Sequence, residues 1–309
     1  MQYRDLGDSR MSVSVLGLGT WPMSGMAWGE TDDDEAVRTI IAALDVGINL
    51  IDTAEGYGVD GHAEALVGQA IRGRRASVIV ATKVSPRHLA PADIVRSLED
   101  SLRRLKVHEI DLYQIHRHNP EIPLAETMMA LHRLQEQGKV RAIGVCNFPP
   151  ALLEEARQYG PLVSCQSAYS LLERAVEHDV LPLCRERRLG FMAHSTLGKN
   201  LLSGQIRRGT QLPQNDIRLR LDALFRDGTY VRHFDVVEAL NQFAASLGRP
   251  VAQVAINWVV QQPGVTTALV GARRVEHVVE NVKAVEWQLS AKELAALSRM
   301  TEGYAQITS

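Results

Sequence analysis

Val78-Ile-Val-Ala-Thr-Lys83 is a short apolar run ending in a lysine, and Ile110-Asp-Leu-Tyr-Gln-Ile-His116 is another ending in a histidine. Between them, Pro91 opens an amphipathic segment with Ile94, Val95, Leu98, Leu102 and Leu105 on one helical face. The stretch 78–116 therefore reads strand, helix, strand. Parallel strands joined by helices are covered on both faces, so they are apolar throughout rather than alternating.

The same rhythm extends outward. Tyr3-Arg-Asp-Leu6, a turn at Gly7-Asp-Ser9 and Ser12-Val-Ser-Val-Leu16 predict a hairpin. Thr31 or Asp32 caps a helix reaching Val46, and Gly47 ends it. A strand at 49–52 and a helix at 63–71 precede the opening stretch. After it come strands at 140–145, 162–166, 190–195 and 267–270. The intervening helices are expected at 124–137, 150–158, 180–188, 235–247, 250–261 and 275–285. A terminal helix at 290–297 has Ser290 as cap and Glu293 as its capping-box partner. Residues 198–233 are irregular and polar, yet the rhythm resumes after them, so they read as a long functional loop. About eight strand–helix units predict a single α/β domain over 1–309, a closed (β/α)8 TIM barrel.

The chain has 309 residues, 45% hydrophobic and 23% charged, enough for a full core. A formal net charge of -2 without a basic block argues against nucleic acid or a membrane surface as partner. The polar start, Met-Gln-Tyr-Arg-Asp-Leu-Gly, lacks the apolar run of a signal peptide, and no apolar stretch reaches the ~20 residues of a membrane span. Cys146, Cys165 and Cys184 have no metal-like spacing and read as reduced thiols in a cytoplasmic protein.

Barrel sites lie at the carboxyl ends of strands. Asp52 and Tyr57 in Asn49-Leu-Ile-Asp-Thr-Ala-Glu-Gly-Tyr57, Lys83 and His116 all lie at or just past such ends. Alone, each has a bland reading as a packing residue, a cap or a solvated charge. Together, a carboxylate, a phenol, an amine and an imidazole are the parts needed to protonate a carbonyl oxygen. A Rossmann site is not available: in Gly17-Leu-Gly-Thr-Trp-Pro22, Pro22 stands where the third glycine belongs. His116-Arg-His118 lacks a third metal ligand.

These residues resemble the aldo-keto reductase superfamily along essentially the whole chain. The resemblance is carried by Leu16-Gly-Leu-Gly-Thr-Trp21, Ile51-Asp-Thr-Ala-Glu-Gly-Tyr-Gly58, Ala81-Thr-Lys83, Asp111-Leu-Tyr-Gln-Ile-His116, Gly138-Lys-Val-Arg-Ala-Ile-Gly-Val-Cys-Asn-Phe148, Val270-Gly-Ala-Arg273 and Glu280-Asn281. The Trp28-Gly-Glu-Thr-Asp32 stretch and the 198–233 loop look most like the bacterial branch near the inositol-operon reductases. The resemblance implies a barrel whose bottom is plugged by the N-terminal hairpin, and NADPH bound without a Rossmann fold. It also implies reduction of an aldehyde or ketone to an alcohol.

In that frame Tyr57 is the general acid, with an ordinary phenol pKa near 10 that Lys83 would lower. Asp52 would pair with Lys83, and His116 would donate to the carbonyl oxygen. Gly19, Thr20 and Trp21 fall in cofactor positions; Trp21, Tyr57, His116 and Arg117 line the substrate pocket. The amides of Asn147 and Gln166 suit a nicotinamide carboxamide, which needs one donor and one acceptor. Cys146 replaces a common serine, and His194 replaces the aromatic residue under the nicotinamide and could titrate near neutral pH. Ser195, Leu197, Gly198, Lys199, Leu201 and Ser203 lie where the family wraps the pyrophosphate. Gly271, Arg273 and His277 lie at the 2′-phosphate, and Glu280 and Asn281 at the adenine. Arg117 hints at a charged or polar substrate, or else pairs with Glu121 on the surface. A second reading implied by the family is a cofactor-sensing interaction protein, like its potassium-channel β subunits.

Overall fold

The N-terminal hairpin pairs β1 (Tyr3–Asp5) with β2 (Ser12–Ser14). Eight parallel strands follow: β3 (Leu16–Gly19), β4 (Leu50–Asp52), β5 (Ile79–Val84), β6 (Ile110–Ile115), β7 (Val140–Cys146), β8 (Ser164–Ala168), β9 (Gly190–His194) and β10 (Val265–Gly271). They close in sequence order, with β10 returning to pair with β3. With helices between them, this is a (β/α)8 TIM barrel. The computed structural model describes residues 1–25, 31–212 and 233–302, and between 213 and 232 only 214, 216, 218–221, 225 and 231. Trp28-Gly-Glu30 of the branch-marking stretch lies outside the described residues.

The helices are α1 (Asp33–Asp45), α2 (His62–Ala70), α3 (Pro91–Leu105), α4 (Leu124–Glu136), α5 (Pro150–Gln158), α6 (Val180–Glu186), α7 (Arg218–Leu221), α8 (Phe234–Ser246), α9 (Val251–Val260), α10 (Val275–Val282) and α11 (Ala291–Thr301). Asp32 rather than Thr31 caps α1, accepting from the amides of Asp34 and Glu35. Ser290 and Glu293 form the expected capping box, but α11 runs on to Thr301. On α3, Ile94, Leu98, Leu102 and Leu105 are buried; Val95, one residue off that stripe, is exposed.

One boundary moves the topology. The hairpin strand stops at Ser14, and Leu16–Gly19, read from sequence as the end of the hairpin and a failed nucleotide motif, is the first barrel strand. Gly17 makes room for a neighbour: a Cβ there would sit 2.5 Å from the Leu269 side chain.

The apolar material divides in two. One cluster lies between strands and helices. The other lies inside the barrel, where Leu6, Met11 and Val13 of the hairpin meet Leu50, Ala81, Leu112, Ala142, Val163, Met192 and Leu269. The hairpin turn is pressed against the barrel: Gly7, at φ +53, leaves only 2.3 Å between a would-be Cβ and the Val163 carbonyl. The bottom is thus sealed, and the carboxyl ends of the strands are left for a site.

Candidate active site

Side chains alternate faces along a strand, so positions two apart point the same way. Two residues beyond the inward Leu50, Ala81 and Leu112 stand Asp52, Lys83 and Gln114. All three are buried, and they form a polar layer directly above the plug. Lys83 Nζ donates to Asp52 Oδ1 at 2.6 Å, to the Thr53 carbonyl at 2.9 Å and to the Tyr57 hydroxyl oxygen at 3.2 Å. An ammonium has three hydrogens, and all three are placed. Because it cannot accept, the Tyr57 oxygen must, which leaves the phenolic hydrogen free to point away.

Asp52 is held from the other side as well. Gln166 Nε2 donates to its Oδ2 at 2.8 Å and Gln114 Nε2 approaches at 3.4 Å. Gln166 Nε2 also meets Gln114 Oε1 at 3.4 Å, and Cys146 Sγ donates to that oxygen at 3.6 Å. Gln114 escaped the sequence reading. Its signal was a polar residue two before His116 in an otherwise apolar strand.

Burial raises the Tyr57 phenol above its ordinary pKa, while Lys83 pulls the other way. The expectation of a lowered phenol is thereby reversed: in a site this dry, desolvation outweighs one neighbouring cation that is already shared with Asp52. Burial also works against the Lys83 ammonium, but Asp52, aided by Tyr57 and Cys146, keeps its pKa above the usual lysine value. His116, just past β6, is pushed down to about 3 by burial and by Lys83 and Arg117. It is a neutral imidazole, and no described residue bonds its ring nitrogens. Its ring stands edge-on to Tyr57, centroids 5.6 Å apart, and Trp21 lies 6.4 Å from Tyr57.

His194 is likewise pushed down to about 3, chiefly by burial and then by Lys199 and Lys83. Titration near neutral pH is therefore corrected. Its ring bridges Asn147 Oδ1 (3.0 Å) and Ser195 Oγ (2.9 Å). Asn147 Nδ2 donates to the His116 carbonyl at 3.2 Å. Asn147 and Ser195 both have left-handed backbones, at φ 59 and 57. Such strain in non-glycine residues gathers at functional sites.

The remaining candidates ring this centre unevenly. Gly19 has open space where a Cβ would be, and Thr20 is buried with its hydroxyl on the Asp52 carbonyl. Leu197, Ser203 and Lys199 are half-buried, whereas Gly198 and Leu201 are buried and offer backbone rather than side chain. Lys199 pairs with Glu173 at 2.9 Å, and its carbonyl accepts from Arg218, itself clamped by Asp216 at 2.9 and 2.6 Å. Arg218 of the long loop is thus tied to the start of that loop at Lys199, and Lys199 to Glu173 beyond β8. At the end of β10 Gly271 is exposed, and past it Arg273 N donates to His277 Nδ1 at 3.3 Å. Asn281 is half-buried, and Glu280 bonds Lys283 and Gln253. Arg117 is exposed and has no ion pair with Glu121 or another described residue.

Comparison with known proteins finds similarity along nearly the whole chain. A model of the Aldo/keto reductase family matches residues 15–302. The aldo-keto reductase YhdN of Bacillus subtilis is 35% identical, the match covering 98% of this chain and 94% of that protein. The NADH-specific methylglyoxal reductase of Escherichia coli is 33% identical over 96% of this chain and 97% of its own. A crystal structure of an aldo/keto reductase from Klebsiella pneumoniae, in complex with NADP and acetate, superposes with a TM-score of 0.76. It is 35% identical, and the match covers 96% of this chain and 94% of that one.

Proposed function

The chain belongs to the aldo/keto reductase family, and we propose that it is an NADPH-dependent carbonyl reductase that turns an aldehyde or ketone into an alcohol with Tyr57 as general acid. The observation that carries this reading is Lys83 Nζ, bonded at once to Asp52 and to the Tyr57 oxygen, with the phenolic hydrogen left over.

The donor set fits a nicotinamide cofactor. Gln166 Nε2 is spent on Asp52 and Gln114, so its Oε1 remains as an acceptor; Asn147 keeps one N–H of its amide. One donor and one acceptor are what a primary carboxamide requires. Arg273, beside Arg274 at the start of α10, suits a phosphate monoester. When bound, the reduced nicotinamide supplies hydride to the carbonyl carbon.

The protein does the rest. A neutral His116 donates one ring N–H to the carbonyl oxygen and orients it between Trp21 and Tyr57. Tyr57 gives its proton to that oxygen as negative charge develops there. The phenolate left behind faces Lys83, so the Lys83 attraction is strongest in the transition state, where it accelerates the step. A raised ground-state pKa keeps the acid loaded until then.

The test is coenzyme consumption with nitrobenzaldehyde, methylglyoxal and glyceraldehyde, with NADPH and NADH in parallel. Turnover above background with at least one carbonyl is expected. Tight NADPH binding with no turnover across the panel would leave the interaction-protein reading instead. Arg273→Ala should weaken NADPH by about 10–100-fold, the worth of a charged hydrogen bond, and NADH far less. Equal weakening of both coenzymes would sink the 2′-phosphate assignment.

A further inference from the structure

We propose that His194 is a positioning residue: as its Nε2–H tautomer it pins the Asn147 amide so that an N–H, not the carbonyl, is left to meet the cofactor. The inference rests on the reductase reading for its cofactor, though its core is a statement about hydrogens in the free protein.

The argument begins at His116. Its backbone carbonyl only accepts, and it lies 3.2 Å from the Asn147 amide nitrogen, so Nδ2 donates there. The opposite orientation would set two acceptors face to face. Asn147 Oδ1 therefore turns to His194 Nε2, 3.0 Å away, and requires a hydrogen from it. A neutral imidazole carries one ring hydrogen, so Nε2 holds it and Nδ1 accepts. The partner of Nδ1 is Ser195 Oγ at 2.9 Å, whose hydroxyl can donate. Each hydrogen in the chain from His116 to Ser195 is thus determined by the one before it.

The ring also bridges two strained residues, Asn147 after β7 and Ser195 after β9. A phenyl ring in the same place would keep a flat face but give Asn147 Oδ1 nothing to accept. The amide could then turn over and present the wrong group to a carboxamide.

Two measurements test this. In cofactor-free protein, nitrogen-15 spectra of the histidine side chains, with His194 assigned by its loss in His194→Phe, should show a neutral ring protonated at Nε2. Protonation at Nδ1, or a charged ring at neutral pH, would overturn the proposal. Second, His194→Phe should weaken NADPH about 2–10-fold, the worth of one neutral hydrogen bond, and His194→Gln should recover part of it. Asn147→Ala should then cost less in the His194→Phe background than in wild type. Strictly additive losses would overturn the proposal. If wild type fails to bind NADPH, the reductase reading has failed, while the tautomer measurement still decides the hydrogen assignment.

Discussion

Leu50, Ala81 and Leu112 meet the hairpin plug inside the barrel; Asp52, Lys83 and Gln114, two residues further along the same strands, make the polar layer above it. The strands are shared, and the burial is equally complete. The physics differs. The plug needs apolar volume, and each contact in it is replaceable by another of similar size. The polar layer needs partners: a buried ammonium and carboxylate are tolerable only while both are present and their remaining sites are hydrogen-bonded. One end should therefore govern stability and the other chemistry, and substitutions at each can show how clean that division is.

Tyr57→Phe should have the largest effect and leave stability nearly untouched. Removing a general acid costs about 10²–10⁴-fold in rate. Steady-state turnover, NADPH titration and a thermal melt on one preparation would show activity collapsing while affinity and midpoint hold. Retained turnover would end the general-acid assignment. Leu112→Ala should do the reverse. A buried leucine cut to alanine costs about 2–5 kcal/mol, read from denaturant unfolding, with turnover per folded molecule close to wild type. If Leu112→Ala lowers kcat as strongly as Tyr57→Phe, the two layers are mechanically one.

Much of the polar layer was legible because it follows local rules. A strand rich in Val, Ile and Leu ending in Lys83 or His116 places that residue at the barrel mouth whatever the rest does. Gln114 was not legible in the same way. Its meaning depends on the lateral register that sets Lys83 beside Gln114 and Gln114 beside Gly144. The first barrel strand was mistaken for a hairpin end and a broken motif because Gly17 and Gly19 carry no apolar side chain. Their value lies in the space they leave for Leu269 and for the open mouth. The Tyr57 and His194 pKa directions depend on burial, a tertiary quantity that short-range pattern does not carry.

The smallest expected effect concerns that burial. His194 has a folded pKa of about 3 and an unfolded one near 6.5. Between those values the unfolded chain binds a proton that the folded chain refuses. Stability is therefore full above about pH 6.5 and is lost as pH falls toward 3. Complete linkage over the first 1.5 units would cost about 2 kcal/mol; for a half-buried ring about 1 kcal/mol is the reasonable expectation. Carboxylates add their own acid sensitivity, so the informative quantity is a difference. Thermal midpoints of wild type and His194→Phe, followed from pH 7 to 5, should converge as the pH drops, because the variant has lost this proton site. His116 behaves by the same sign and stays in both proteins, so it cancels. Parallel curves would mean that His194 is as wet in the folded chain as in the unfolded one. The polar layer would then end at Gln166 rather than reach the rim.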